Sequence, residues 1–353
     1  MNDLKFYKGK KVLVTGHTGF KGAWLVQWLL LLGADVIGYA LEDTDNTKLF
    51  KELDLKNQIN HYPYNINNVD DLKEVFVKHQ PEIVFHLAAQ AIVKTSYENP
   101  IETFQTNVIG TANVLEAIRS VDSVKVAVLV TSDKCYKNEE KKFGFVESDA
   151  MGGDDPYSAS KACAELVISS YRKSFFSQDN STKIVSVRAG NILGGGDWSK
   201  DRIVVDCINS IENNKTILLR DPSAVRPWQH VLDASYAYLK VANFSFNSKD
   251  TIPAWNFGPS ENDVTTVEEL VQQIIANYGK GSYENIGEKL YHEANYLKLN
   301  VDLAFSKLDW KLQWNQEKLI QKTVDWYVDF KNNKDAKQIT ISQINAYTSE
   351  ITI

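Results

Sequence analysis

Along the first half of the chain the spacing of apolar residues switches back and forth between two periods. Short runs rich in β-branched residues, Lys11–Thr15, Val36–Tyr39, Ile83–Ala88, Val126–Val130 and Ile184–Val187, are apolar almost throughout, the pattern of strands covered on both faces. Between them, Trp24–Leu32, Asp70–His79, Thr103–Arg119 and Ser158–Arg172 carry apolar residues at helical spacing. Strands alternating with helices predict repeated βαβ units, and so an α/β fold built on a doubly wound parallel sheet. After Arg188 the pattern loosens into RAGNILGGGDW, where three successive glycines mark a loop. Beyond it, short strands mix with helices near Thr266–Tyr278 and Gln316–Lys331, which predicts a smaller C-terminal lobe. The tail from Asn332 is polar and shows no clear periodicity, so no element is assigned to it.

Composition narrows the function classes. With 353 residues, 43% hydrophobic and 24% charged, the chain has the make-up of an ordinary globular protein. The formal charge of -6 and the lack of a dense basic stripe speak against nucleic acid and anionic membranes as partners, whereas a small anionic ligand is compatible with a locally basic site. Cys135, Cys163 and Cys207 are odd in number and lack metal-type spacing, which predicts reduced thiols in a cytoplasm and no metal site; Cys135 reads as a buried, inert thiol. The start, MNDLKFYKGK, has no apolar signal core, and WLLLLGA is too short to span a bilayer.

Three places carry candidate chemistry. The first strand runs into TGHTGFKGAWL, where Gly16, Gly19 and Gly22, with Thr18 and Phe20 between them, lie between a strand and a helix. Such a turn lets backbone N–H groups and a helix N-terminus approach a pyrophosphate, which predicts a Rossmann-type dinucleotide-binding unit over residues 1–190. A segment near 231–258 is expected to return to that unit, and a substrate-binding lobe to occupy mainly 191–353. The second strand ends at Ala40, with Glu42 and Asp43 only later, so NAD is favoured as cofactor and NADP is left open. In HLAAQ, small Ala88 and Ala89 leave room for a dinucleotide across the strand tips, while His86 reads as a core histidine. The run VAVLVTSDKCY places Ser132, Asp133 and Lys134 at the mouth of a buried strand, where ligands of open α/β sheets sit. In DPYSASK, Tyr157 and Lys161 are four apart on a predicted helix; an ammonium beside the phenol is expected to bring it toward neutrality as a base for a hydroxyl.

The glycine loop, Ser132 and the Tyr157/Lys161 pair together resemble the extended short-chain dehydrogenase/reductase superfamily. Within it, GHTGFKGAWL, TSDKCYKN, GNILGGGDW followed by Asp201 and Arg202, and RPWQHVLD are similar to the CDP-glucose 4,6-dehydratases, over about Lys10 to Leu312. Val205 stands where proline is expected and Ala23 where serine is common. The resemblance implies an NAD-dependent hydro-lyase acting on a nucleotide sugar, with a place in deoxysugar and surface polysaccharide synthesis. In that cycle Tyr157 deprotonates the 4-hydroxyl as its hydride passes to NAD+, Ser132 polarises O4, water leaves from C6 with Asp133 as acid, and the hydride returns to C6. Many relatives carry glutamate as C5 base after the aspartate; here Lys134 takes that place. Asn191, Arg202, Arg226 and His230 become candidates for the sugar and its diphosphate, Trp198 and Trp228 for stacking, and Asp233 for bracing Arg226. The superfamily also implies a homodimer joined through the 103–119 and 158–172 helices. The alternatives are a nucleotide-sugar 4-epimerase, which needs no acid and base at C6 and C5, and a noncatalytic dinucleotide sensor, which has no use for Ser132, Tyr157 and Lys161.

Overall fold

Seven parallel strands run through the centre of the protein, in a computed structural model that describes residues 2–42, 46–138, 143–178, 182–250, 252–260, 265–287 and 297–351. They are β1 (Lys11–Thr15), β2 (Asp35–Tyr39), β3 (Asn60–Tyr62), β4 (Ile83–His86), β5 (Val126–Val130), β6 (Lys183–Ala189) and β7 (Ala254–Phe257), in the order β7-β6-β5-β4-β1-β2-β3. The chain steps one way from β1 to β3 and the other way from β4 to β7. The switch point therefore lies between β1 and β4, where open α/β sheets form their ligand crevice.

Double burial explains the continuous apolar runs. Along β5, Val126, Val128 and Val130 enter one core layer, while Ala127 and Leu129 enter the other. The first layer packs under helix α1 (Phe20–Leu31), with Trp24 and Trp28 fully buried. The second packs under α2 (Val69–His79), α3 (Gly110–Arg119) and α4 (Pro156–Phe175). Helix formation extends the expected 103–119 segment back to Pro100, through a wider π-helical turn at Gln105–Ile109 that precedes α3.

The smaller lobe contains α5 (Ile203–Glu212), α7 (Val267–Tyr278) and α8 (Gln316–Lys331), with short strand pairs between them. Between α5 and α7, α6 (Val231–Asn247) and β7 go back to the large sheet, so β7 forms its edge beside β6. Several elements, α5 among them, are absent from the sequence reading, and two of these are instructive. One is β3, three half-exposed or exposed polar and aromatic residues. The other is α9 (Ala336–Ile351), which docks the tail onto the core through Ile339, Ile344 and Tyr347. Among the described residues no helix is long and apolar enough to cross a membrane.

Candidate active site

Beyond the tips of β5 and β6 lies a cavity of about 780 Å³ whose walls include Ser132, Asp133, Lys134, Tyr157, Asn191, Arg202 and Arg226. At its start, β1 ends in the glycine loop. Gly16 has a left-handed φ of 72°, and a Cβ there would come within 2.6 Å of the Ala88 nitrogen, so Ala88 lies directly against the loop. A Cβ on Gly22 would stand 2.2 Å from the Gly16 carbonyl oxygen. The loop folds onto the end of β2 through Thr18, whose hydroxyl donates to the Leu41 carbonyl at 2.8 Å. Gly19 is the N-cap of α1 and offers no side-chain cap, and the first turn carries no acidic residue. Those N–H groups are thus left to an anion, and the arrangement fits a dinucleotide pyrophosphate. Phe20 borders the cavity itself, and Ala88 and Ala89 are partly exposed at the tip of β4.

The helix carrying Tyr157 and Lys161 is started by local chemistry. Pro156 occupies its first turn, and the Asp155 side chain accepts the Ser158 N–H at 3.0 Å. Tyr157 and Lys161, one turn apart, are both buried, and Lys161 Nζ donates to the Val130 carbonyl at 3.4 Å, at the end of β5 two residues before Ser132. Burial brings Lys161 down to about 8. The phenol departs from the sequence expectation: burial pushes Tyr157 up to about 12, against a hydrogen bond with Ser132 and the Arg202 guanidinium. Desolvation outweighs the neighbouring charges, so without ligands this tyrosine holds its proton.

At the β5 tip, Ser132 Oγ donates to Asp133 Oδ1 at 3.0 Å and accepts the Lys134 N–H at 3.2 Å. Asp133 is 2% exposed, and its Oδ2 has no hydrogen-bond partner among the described residues. Burial raises its carboxyl, with the Lys134 ammonium the main opposing influence. A buried carboxyl whose hold on a proton is strengthened, in the wall of a cavity, suits a general acid.

A buried network beneath this tip escaped the sequence reading. Glu165, one turn beyond Lys161, accepts from Thr131 Oγ1 at 2.6 Å, from Ser186 Oγ at 2.9 Å and from Arg188 Nε and Nη2 at 2.9 and 2.8 Å. Arg188 also donates to Tyr136 Oη at 2.7 Å, and Tyr136 to Asn256 Oδ1 at 2.7 Å. The spacing 157, 161, 165 on one helix face was the available signal.

Several sequence candidates lie elsewhere. His230 is fully buried away from the cavity: it caps α6, its Nδ1 accepting the Leu232 N–H at 3.2 Å, and its ring packs against Trp24 and Trp314. Asp233 does not brace Arg226; it accepts from the Gln313 N–H at 2.8 Å and Tyr347 Oη at 2.7 Å. Trp198 packs on Trp326, Tyr327 and Phe330 with the Lys48 ammonium over its ring, whereas Trp228 remains at the cavity wall. Val205 also lines the cavity. His86 is a core histidine, bonded to Thr15 at 2.7 Å and Thr111 at 3.0 Å. Glu42 pairs with Lys56 at 2.7 Å and His61 at 3.4 Å, and Asp43 lies outside the described residues.

Comparison with known proteins places this geometry. The family described as GDP-mannose 4,6 dehydratase matches residues 13–326. The CDP-glucose 4,6-dehydratase of Salmonella typhimurium is 42% identical, over the full length of both chains. Among solved structures, the dTDP-glucose 4,6-dehydratase of Bacillus anthracis in complex with NAD is 24% identical, with a TM-score of 0.77 over 94% of this chain and 100% of that one. The UDP-glucose 4-epimerase of Thermotoga maritima with UDP-glucose is also 24% identical, with a TM-score of 0.78 over 91% of this chain and 99% of that one. The two structures share the fold, and the full-length likeness with the matched family decides the membership: this chain belongs to the GDP-mannose 4,6 dehydratase family of nucleotide-sugar 4,6-dehydratases.

Proposed function

We propose that this protein is an NAD-dependent CDP-glucose 4,6-dehydratase, a hydro-lyase that forms CDP-4-keto-6-deoxyglucose. The observation that carries the reading is Asp133: its carboxyl is buried and raised, its Oδ2 has no hydrogen-bond partner among the described residues, and it stands in the wall of the cavity of Tyr157 and Ser132, which suits an acid for a departing C6 oxygen. An epimerase has no step that uses it. The full-length likeness to the Salmonella typhimurium relative supports CDP-glucose as the substrate.

NAD, held by Gly16, Thr18, Gly19, Phe20, Gly22, Ala88 and Ala89 with Tyr157 and Lys161, supplies when bound the acceptor for the C4 hydrogen and the donor that replaces hydroxyl at C6. Tyr157 takes the 4-hydroxyl proton once substrate and a neighbouring cation offset its burial, and Lys161 holds positive charge beside it. Ser132 donates to O4. Asp133 protonates the C6 oxygen as water leaves, and Lys134 takes the C5 proton. Asn191 orients the sugar end, and Arg202 and Arg226 pair with the diphosphate. Incubation with a panel of nucleoside diphosphate glucoses, followed by detection of a 4-keto-6-deoxy product, tests the reading; turnover of CDP-glucose should exceed the others, and C4 epimer formation without dehydration would overturn it. Lys134→Met separates the base from a bystander: it should stop exchange of the C5 hydrogen with deuterated water while C4 oxidation continues.

The protein works as a homodimer in the cytoplasm. Ile109 and Leu166, 53% and 61% exposed on the helices expected to meet a second copy, support the dimer, and three cysteines without disulfides support the compartment.

A further inference from the structure

Lys21 has none of the roles above. It is the second residue of α1, set between Gly19 and Gly22 with Phe20 before it. Its side chain forms part of the same cavity wall as Ser132, Asp133 and Tyr157. Its amine has no hydrogen-bond or ion-pair partner among the described residues. The charges that face it are Lys161 on α4 and Arg202 ahead of α5, which repel it, and Asp133 at the β5 tip and Asp197 in the loop before α5, which attract it. Burial dominates, and with the two cations it brings the amine down to about 7.

A positive group at this place bears on the bound cofactor. The nicotinamide has to reach the cavity that Lys21 shares with Tyr157, because the sugar carbon served by Tyr157 gives up its hydrogen there. The oxidised ring is a cation and the reduced ring is neutral. We propose that Lys21 sets the balance between the two bound forms of NAD, its ammonium disfavouring the oxidised ring relative to the reduced one, so that the reducing equivalent stays on the enzyme while the sugar is a ketone. The inference rests on NAD being the cofactor. One charge–charge interaction in a partly solvated cavity shifts a binding ratio by roughly fivefold to tenfold.

The test is fluorescence titration of the full chain with NAD+ and with NADH, at about pH 6 and about pH 8.5, for wild type, Lys21→Met and Lys21→Arg. At the lower pH, Lys21→Met should reduce the preference for NADH over NAD+ by roughly fivefold to tenfold. At the higher pH the wild-type amine has lost its proton, and the gap between wild type and Lys21→Met should close to within about twofold. Lys21→Arg, permanently charged, should keep its gap to Lys21→Met at both values. An unchanged ratio in Lys21→Met at low pH, equal weakening of both forms, or an arginine variant that behaves like methionine would each overturn the proposal. Failure of the wild type to bind either form would instead overturn NAD as the cofactor.

Discussion

Replacing Asp133 with asparagine keeps the shape of the side chain and an oxygen for the Ser132 hydroxyl, but removes the proton that the C6 oxygen needs. General acid catalysis contributes roughly a hundredfold to ten-thousandfold, which at about 1.36 kcal/mol per tenfold is about 3 to 5.5 kcal/mol of barrier. Asp133 is 2% exposed, so bulk water has poor access to take over, and the middle of that range, about a thousandfold in turnover, is expected. C4 oxidation should survive and be visible as absorbance of the reduced cofactor, while release of 4-keto-6-deoxy product collapses. Stability should move the other way. Burial raises the native carboxyl above its unfolded value, so the native state holds this proton over a range in which the unfolded chain has lost it. The wild type therefore loses stability as pH rises from the unfolded value, about 3.9, through the native one, and the neutral amide removes that loss. Thermal melts of Asp133→Asn at neutral pH should match or exceed wild type. Turnover above about a tenth of wild type would refute the role of Asp133 as the acid.

Tyr157→Phe should lower turnover by roughly a hundredfold or more while calorimetric titration finds most of the cofactor affinity retained, because the phenol is lost and the glycine loop that takes the pyrophosphate is intact. Glu165→Gln leaves the Arg188 guanidinium, 5% exposed, without its counter-charge, and breaking a buried pair in this way costs about 3 to 5 kcal/mol, readable in denaturant unfolding. Asp233 is pushed up to about 7 by burial, so the wild type should lose roughly 4 kcal/mol of stability as pH rises from about 4 to about 7, and Asp233→Asn should flatten that slope in melts across pH.

What was legible in the sequence was whatever repeats with a period or demands a special backbone. The strands β1, β4, β5 and β6 announce themselves because both of their faces are buried, and the glycine loop because Gly16 and Gly22 have no room for a Cβ. Tyr157 and Lys161 were found by helical spacing. Helix α9 was hidden although its inward face, Ala336, Ile339, Thr340, Gln343, Ile344 and Tyr347, keeps a perfect helical period. Two of those positions are polar, and their partners come from elsewhere: Trp326 Nε1 donates to Thr340 Oγ1 at 3.0 Å, and Gln343 Nε2 to the Lys322 carbonyl at 2.8 Å. His230 misled for the opposite reason, since a histidine among tryptophans looks like a ligand surface until the fold turns it inward to cap α6. Lys21 could not be singled out because residues between loop glycines are read for their backbone, and only the cavity gives its side chain a meaning.

The position of β7 has a consequence for how the chain comes to be folded. Its residues 254–257 complete the large sheet only after the segment 190–226, which supplies Asn191, Arg202 and Arg226, has been made. Until then β6, buried at six of its seven positions in the finished protein, is an apolar edge with open backbone groups. A fragment ending near residue 190 should thus aggregate rather than fold as a free-standing cofactor domain, and a ribosome-bound chain should stay dependent on chaperones until β7 emerges. Pairing β6 with a strand some 70 residues later also raises the contact order, which favours slow folding over rapid local assembly.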